Sequence, residues 1–89
     1  MSVFIGGSAY NMANSIADGY IITTELTFKK FQDSDLMTFL AEADRLLREI
    51  RGSQVATDDV QGAQARQRRM QRVTQAITIA NAVRSRRRY

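Results

Sequence analysis

The residues between 36 and 50 constrain the fold most, because their apolar members repeat at the three- and four-residue steps of an α-helix. Asp33 or Ser34 stands where a helix cap is expected, and Gly52-Ser53 follows where the repeat stops. The pattern predicts an amphipathic helix with one face in a core. That face consists of Leu36, Phe39, Leu40, Ala43, Leu46, Leu47 and Ile50.

A weaker repeat predicts a short helix earlier in the chain, over about residues 8–18. Ser8 can cap this helix, and Asp18-Gly19 can end it with glycine in the left-handed region. Residues 1–7 are expected to form an extended arm, because Gly6-Gly7 disfavours helical order.

A third helix is predicted from about Asp58 to Arg84, with Thr57 as a possible cap. Its apolar stripe is thin and built mainly from small residues: Met70, Val73, Ala76, Ile77, Ala80 and Val83. The opposite side is rich in Gln and Thr and carries no charge, although a freely solvated face is usually rich in Lys and Glu. This helix is therefore expected to have two contact faces, and its stripe suits packing against another helix.

Residues 20–31 are rich in β-forming side chains, and Ile22, Thr24, Leu26 and Phe28 alternate along them. The segment predicts a β-hairpin or a single strand, and these alternatives stay open because it has no Gly, Asn or Pro to mark a turn. The expected fold class is α+β and mainly helical. Residues 1–53 would form a small α+β domain with an N-terminal arm, and residues 54–89 a C-terminal helical extension with a basic tail.

Charge is divided unevenly along the chain. Residues 60–89 hold eight arginines and no Asp, Glu or Lys, whereas residues 1–59 hold nine acids and five bases. The formal net charge of +4 is thus the sum of −4 and +8. A uniformly positive end indicates an anionic partner.

Three interpretations of these arginines remain open: a solvated basic face, phosphate contacts with nucleic acid, or docking into an acidic groove of a neighbouring protein. On a helix the arginines separate into a group beside the apolar stripe and a terminal group that we expect to act as an anchor. The candidate contact residues are Arg66, Arg68, Arg69, Met70, Arg72, Val73, Ile77, Ala80, Arg84, Arg86, Arg87, Arg88 and Tyr89.

The composition argues against most catalytic and metal chemistry. The chain has no cysteine and no histidine, so it lacks thiolate ligands, disulfides and the commonest general base. The acid pairs Asp33/Asp35 and Asp58/Asp59 stand at helix starts, where capping explains them. We expect no enzyme activity, no cofactor and no metal site. The start of the chain lacks the pattern of a signal peptide and no stretch is apolar enough to cross a bilayer, so no membrane partner is expected.

The order of these elements resembles that of the small head-to-tail joining proteins of lambda-like tailed phages. Residues 25–50, ELTFKKFQDSDLMTFLAEADRLLREI, look like the hairpin exit and second helix of that family. The final RSRRRY looks like its arginine-rich C-terminus with an aromatic tip.

The resemblance implies a non-enzymatic virion protein, assembled in the host cytoplasm, that binds as a ring of copies to the portal after DNA packaging. Its partners would be further copies of itself, the portal or neighbouring neck and tail proteins, with DNA close to the basic tail. The alternative function is that of a small basic nucleic-acid-binding protein that contacts phosphates through its C-terminal arginines.

Overall fold

The computed structural model of the chain describes residues 3–53 and 58–87. Three α-helices dominate it: α1 spans Ala9–Ala17, α2 spans Asp33–Gly52 and α3 spans Val60–Arg86. A single-turn 3-10 helix, η1, lies at Glu25–Phe28 between α1 and α2. The three helices expected from the sequence are present, and α3 is continuous through Gly62.

Short polar side chains cap the starts of α1 and α3. Ser8 caps α1, where its Oγ accepts a hydrogen bond from the Asn11 backbone N–H at 3.2 Å. The N-cap of α2 is Gln32, so neither Asp33 nor Ser34 is the cap that the sequence predicts. Asp33 is instead the first residue of the helix. Asp59 caps α3 and accepts from the Gly62 N–H at 2.9 Å. The expected cap at Thr57 lies outside the described residues.

A chain of aromatic contacts forms the centre of the core. The Phe28 ring packs against Phe31 and Phe39 with ring centroids 5.3 and 5.0 Å apart, and Phe4 meets Phe31 edge to face. Each such side chain, when fully buried, stabilises the fold by roughly 1.5–3 kcal/mol. The four phenylalanines therefore form one cluster, and helical residues from α1, α2 and α3 close around it.

The thin stripe of α3 packs inside the chain. Val73, Ala76 and Ala80 are each at most 1% exposed, and Met70, Ile77 and Val83 pack partly buried against the same core. Small side chains allow α3 to approach both α1 and α2 closely. The expected domain at 1–53 and the extension at 54–89 thus share one core in the described residues.

The expected α+β class is wrong, because the described residues form helices and no strand or hairpin at positions 20–31. A strand needs a neighbouring strand to complete its hydrogen bonds, and the rest of the described chain is helical or in short connections. The spacing of Phe28 and Phe31 by one helical turn also brings both rings into the core. Tertiary burial of these rings outweighs the local β-propensity of the segment.

Candidate functional site

The arginines of α3 that lie beside its apolar stripe contact the end of α1. Arg69 forms an ion pair with Asp18 and donates to Asn14 Oδ1 at 3.4 Å. Arg72 donates from Nη1 to the Ala17 carbonyl at 3.0 Å. Since the last carbonyls of a helix lack partners and carry the negative end of its dipole, these cations stabilise the α1 C-terminus.

Arg66 and Arg68 differ from these two in their surroundings. Arg66 is half-buried and makes a long hydrogen bond of 3.5 Å to the Arg51 carbonyl near the end of α2. Arg68 is exposed, and it makes no hydrogen bond or ion pair within the part of the chain that the structure describes.

The end of α3 is tied to the connection between α1 and α2. Arg86 pairs with both carboxylate oxygens of Glu25, with Nη1 2.7 Å from Oε2. Arg87 donates to the carbonyls of Phe28 at 3.2 Å and Phe31 at 2.5 Å, and its side chain is only 30% exposed. We call Arg86 and Arg87, with these partners, the C-terminal clamp.

The clamp shifts the pKa of two groups, Arg86 upward and Glu25 downward. The pKa of Glu25 lies below its ordinary value, chiefly because Arg86 donates hydrogen bonds to its carboxylate. Loss of hydration opposes this shift, and the positive charge of Arg86 adds to it. Both side chains are more than half exposed, so the ion pair adds little to the stability of the fold. Its main effect is to fix the position of the end of α3 against η1.

The remaining predicted contact residues lie in several places. Val73 and Ala80 are in the core, and Met70 and Ile77 are half-buried against it. Arg84 is half-buried and has no hydrogen bond or ion pair among the described residues. The predictions for Arg88 and Tyr89 fall outside the described residues.

Three exposed apolar residues between α1 and α2 are absent from the predicted contact set. Tyr20, Ile22 and Leu26 are 84, 87 and 75% exposed. The alternation along residues 22–28 includes Ile22 and Leu26, but it predicts one side of a strand and not an exposed contact surface. We call residues 20–26, which carry these three side chains, the exposed connection.

A cavity of about 260 Å³ lies where the exposed connection meets α1 and α3. Its wall combines aliphatic side chains with a guanidinium, an amide and a hydroxyl. The lining side chains are Ile16, Ile21, Ile22, Thr23, Arg72 and Gln75. Mixed walls of this kind can bind a ligand that is apolar in part and anionic in part.

Comparison with protein-family models, with curated protein sequences and with solved structures finds no match. Among residues 3–53 and 58–87, no helix is both long and apolar enough to cross a membrane. The same residues contain no group of three or more acidic side chains placed to hold a metal ion.

Proposed function

We propose that the protein is a non-enzymatic assembly subunit that acts through contacts with other proteins. The exposed connection carries this proposal: Tyr20, Ile22 and Leu26 present large apolar side chains to water within seven residues of sequence. Single exposed apolar residues are common, but a local group of them is typical of a protein interaction site.

The connection is also held in place on both sides, which favours recognition. Arg72 contacts the end of α1 just before it, and the C-terminal clamp contacts Glu25 and Phe28 at its far end. A segment that is ordered before binding loses less conformational entropy when a partner covers it. The arginines thus support a contact surface as well as supplying charge.

Within this class we propose the role of a head-to-tail connector, or neck, subunit in a phage particle. The resemblance to that family now rests on the α2 region and on the arginine-rich end, since the described residues lack the hairpin. In this role, copies of the chain would form a ring on the portal. Arg66, Arg68 and Arg84, which are not committed to strong internal contacts, would be available to neighbouring subunits.

Native mass spectrometry of the full chain, alone and with a portal assembly, tests this role. We expect a ring of copies bound to the portal, and we expect the double substitution Ile22→Ser and Leu26→Ser to abolish it. Met37→Ser is the matched control, because Met37 is an exposed apolar residue on α2, 55% accessible, away from the connection. A chain that stays monomeric with and without the portal contradicts the proposal.

Nucleic-acid binding is the second candidate, favoured by the unpaired arginines Arg68 and Arg84 in the described chain. These two lie sixteen positions apart on α3, so they point about 160° away from each other and do not form one phosphate-binding patch. Arg69, Arg86 and Arg87 already bind groups of the chain itself. Titration with duplex and single-stranded DNA at several salt concentrations decides this, since phosphate contacts require affinity to fall steeply with salt.

A further inference from the structure

We propose that the cavity beside Arg72 binds an acidic peptide segment of a partner protein, with Arg72 as the residue that binds its carboxylate. This inference rests on the proposed assembly function, because it names the chemistry of the partner. The cavity, the exposed backbone along its wall and the unused donors of Arg72 support it independently of the phage resemblance.

Arg72 is positioned for a ligand but only partly used by the fold. Its Nη1 donates to the Ala17 carbonyl, and its other N–H groups have no hydrogen-bond partner within the described residues. The guanidinium lies against Gly19, where a Cβ would come within 3.1 Å of it. A planar fork held by one hydrogen bond can offer its remaining donors to a carboxylate without further ordering.

No competing acid of α1 occupies these donors. Asp18, the C-cap residue of α1, is paired with Arg69 instead. The position of Arg72 therefore combines a cationic group with access from the cavity, and an incoming Asp or Glu side chain is the complementary charge.

The backbone next to the cavity is available for pairing. Across residues 21–23, no backbone N–H or C=O forms a hydrogen bond with any described part of the chain. Exposure alternates with a period of two, since Ile21 and Thr23 are half-buried while Tyr20 and Ile22 are exposed. That period is typical of a backbone that an extended peptide can pair with in a complex.

The polar and apolar parts of the wall complete the match to a peptide. Thr23 lines the cavity, and its buried Oγ1 has no hydrogen-bond partner among the described residues. Because this oxygen is closed off from solvent, an occupant could hydrogen-bond it only after the Thr23 side chain rotates toward the cavity. Ile16 and Ile22 suit aliphatic side chains beside the acid, which favours a peptide over a nucleic acid.

The test uses the full-length, ¹⁵N-labelled protein and two acetylated, amidated hexapeptides. One peptide alternates valine with glutamate, and the other replaces each glutamate by glutamine. We expect the glutamate peptide to bind at least tenfold more tightly, with amide shifts at residues 21–23. We expect Arg72→Gln to weaken its binding about tenfold, as loss of a charge-assisted contact requires. Arg51→Gln makes the same change of charge on an exposed arginine of α2 and should alter the affinity less than twofold.

A second substitution keeps the test decisive if Arg72→Gln also weakens the fold. Ile22 is 87% exposed, so Ile22→Glu should leave the core intact while its acid repels the peptide. We expect about a tenfold loss of affinity, and unchanged binding overturns the proposal. Equal binding of the two peptides, equal effects of Arg72→Gln and Arg51→Gln, or amide shifts away from residues 21–23 also overturn it.

The same experiment distinguishes the acidic peptide from two other occupants of the cavity, a nucleic acid and a second copy of the chain. If a thymidine oligonucleotide shifts the amides of residues 21–23 at lower concentration than the peptide, the site recognises nucleic acid and the inference fails. If those amides shift with protein concentration alone and sedimentation shows a dimer, the occupant is a second copy and the inference again fails. If the peptide does not bind but the chain still forms a ring on the portal, this inference is overturned and the proposed function stands. If the peptide binds but no ring forms, the proposed function is overturned and the peptide site stands.

Discussion

The guanidinium of Arg87 contacts the carbonyl of Phe28, the last residue of η1, and that of Phe31, which lies between η1 and α2. Carbonyls at the end of a short helix lack partners within it, so a donor that reaches them completes their hydrogen bonding. One planar side chain serves both carbonyls because its N–H groups point in different directions, which the compact ammonium of lysine does less well. This arginine therefore acts within the fold.

Gly19 should tolerate substitution poorly. Its φ of +85° lies in the left-handed region, and an added Cβ would meet the Arg72 guanidinium at 3.1 Å. We expect Gly19→Ala to lower the free energy of unfolding by about 1–2 kcal/mol, the usual cost of that conformation for an L-residue. Urea denaturation measures this effect.

Gly52→Ala is the matched control for that substitution. Gly52 is the last residue of α2, and a Cβ there would meet nothing within 4 Å. Alanine should raise the free energy of unfolding by about 0.5–1 kcal/mol, because glycine costs conformational entropy in a helix. Changes of the same sign at both positions would contradict the assigned backbone geometry.

The ionisation of Glu25 reports on the clamp. Because its pKa is lowered in the folded chain, ionised Glu25 stabilises the fold above its unfolded pKa, and this contribution is lost as pH falls through the folded pKa. NMR titration of the side-chain carboxyl should give a value below that of an ordinary glutamate. Arg86→Gln should return the pKa to the ordinary value, whereas Arg68→Gln should not move it. An unshifted pKa in the native chain would show that the pair does not form in solution.

At the scale of the elements, α3 is defined by the narrowness of its apolar stripe. Val73, Ala76 and Ala80 place small side chains toward the core, so the backbone of α3 can approach α1 and α2 closely. A wider stripe of bulky residues would hold the helices further apart. The polar Gln and Thr side of α3 stays outside, where it remains a candidate second contact surface.

Ala80→Leu tests this close approach. Ala80 is fully buried, and extra methyl groups in a packed core force neighbouring side chains to move. We expect the free energy of unfolding to fall by about 1–3 kcal/mol. Ala63→Leu makes the same change at an exposed position of α3, where the effect should stay within about 0.5 kcal/mol. Equal effects in chemical denaturation would mean that the stripe is not packed against α1 and α2.

On the scale of the whole molecule, the two ends of the chain support one region. The N-terminal Phe4 packs against Phe31, and the end of α3 contacts Glu25 and Phe28. The exposed connection is thus held by α1, α3 and the clamp, although it contains no regular secondary structure before η1. Its apolar side chains are presented in a defined arrangement, as a recognition surface requires.

Truncation after Ser85 removes the clamp and should loosen this region. In the intact chain the amides of Thr27, Lys29 and Phe31 donate to carbonyls within the turn. We expect their hydrogen exchange to accelerate about tenfold, since the lost contacts of Arg87 contribute about 1 kcal/mol or more. Mass spectrometry or NMR measures the exchange, and Arg68→Gln in the full chain is the control. Unchanged exchange in the truncated chain would contradict the clamp.

The three helices follow from the sequence alone, because their periodicity and their caps at Ser8 and Asp59 act over a few residues. The apolar face of α2 also follows from the sequence, and the structure buries all of it except Leu40, which is partly buried. The charge asymmetry is likewise a property of the sequence, independent of the fold.

Tertiary structure alone decided what residues 20–31 become and where the arginines act. A β-prone segment forms a strand only if another strand receives its hydrogen bonds, and here Phe28 and Phe31 are buried among helices instead. The sequence shows that the C-terminal arginines carry positive charge. Which of them hydrogen-bond within the chain depends on carbonyls and carboxylates that lie 50 or more residues away in sequence. Helical periodicity is a short-range property, whereas pairing partners are set by packing of distant segments, and no local pattern contains that information.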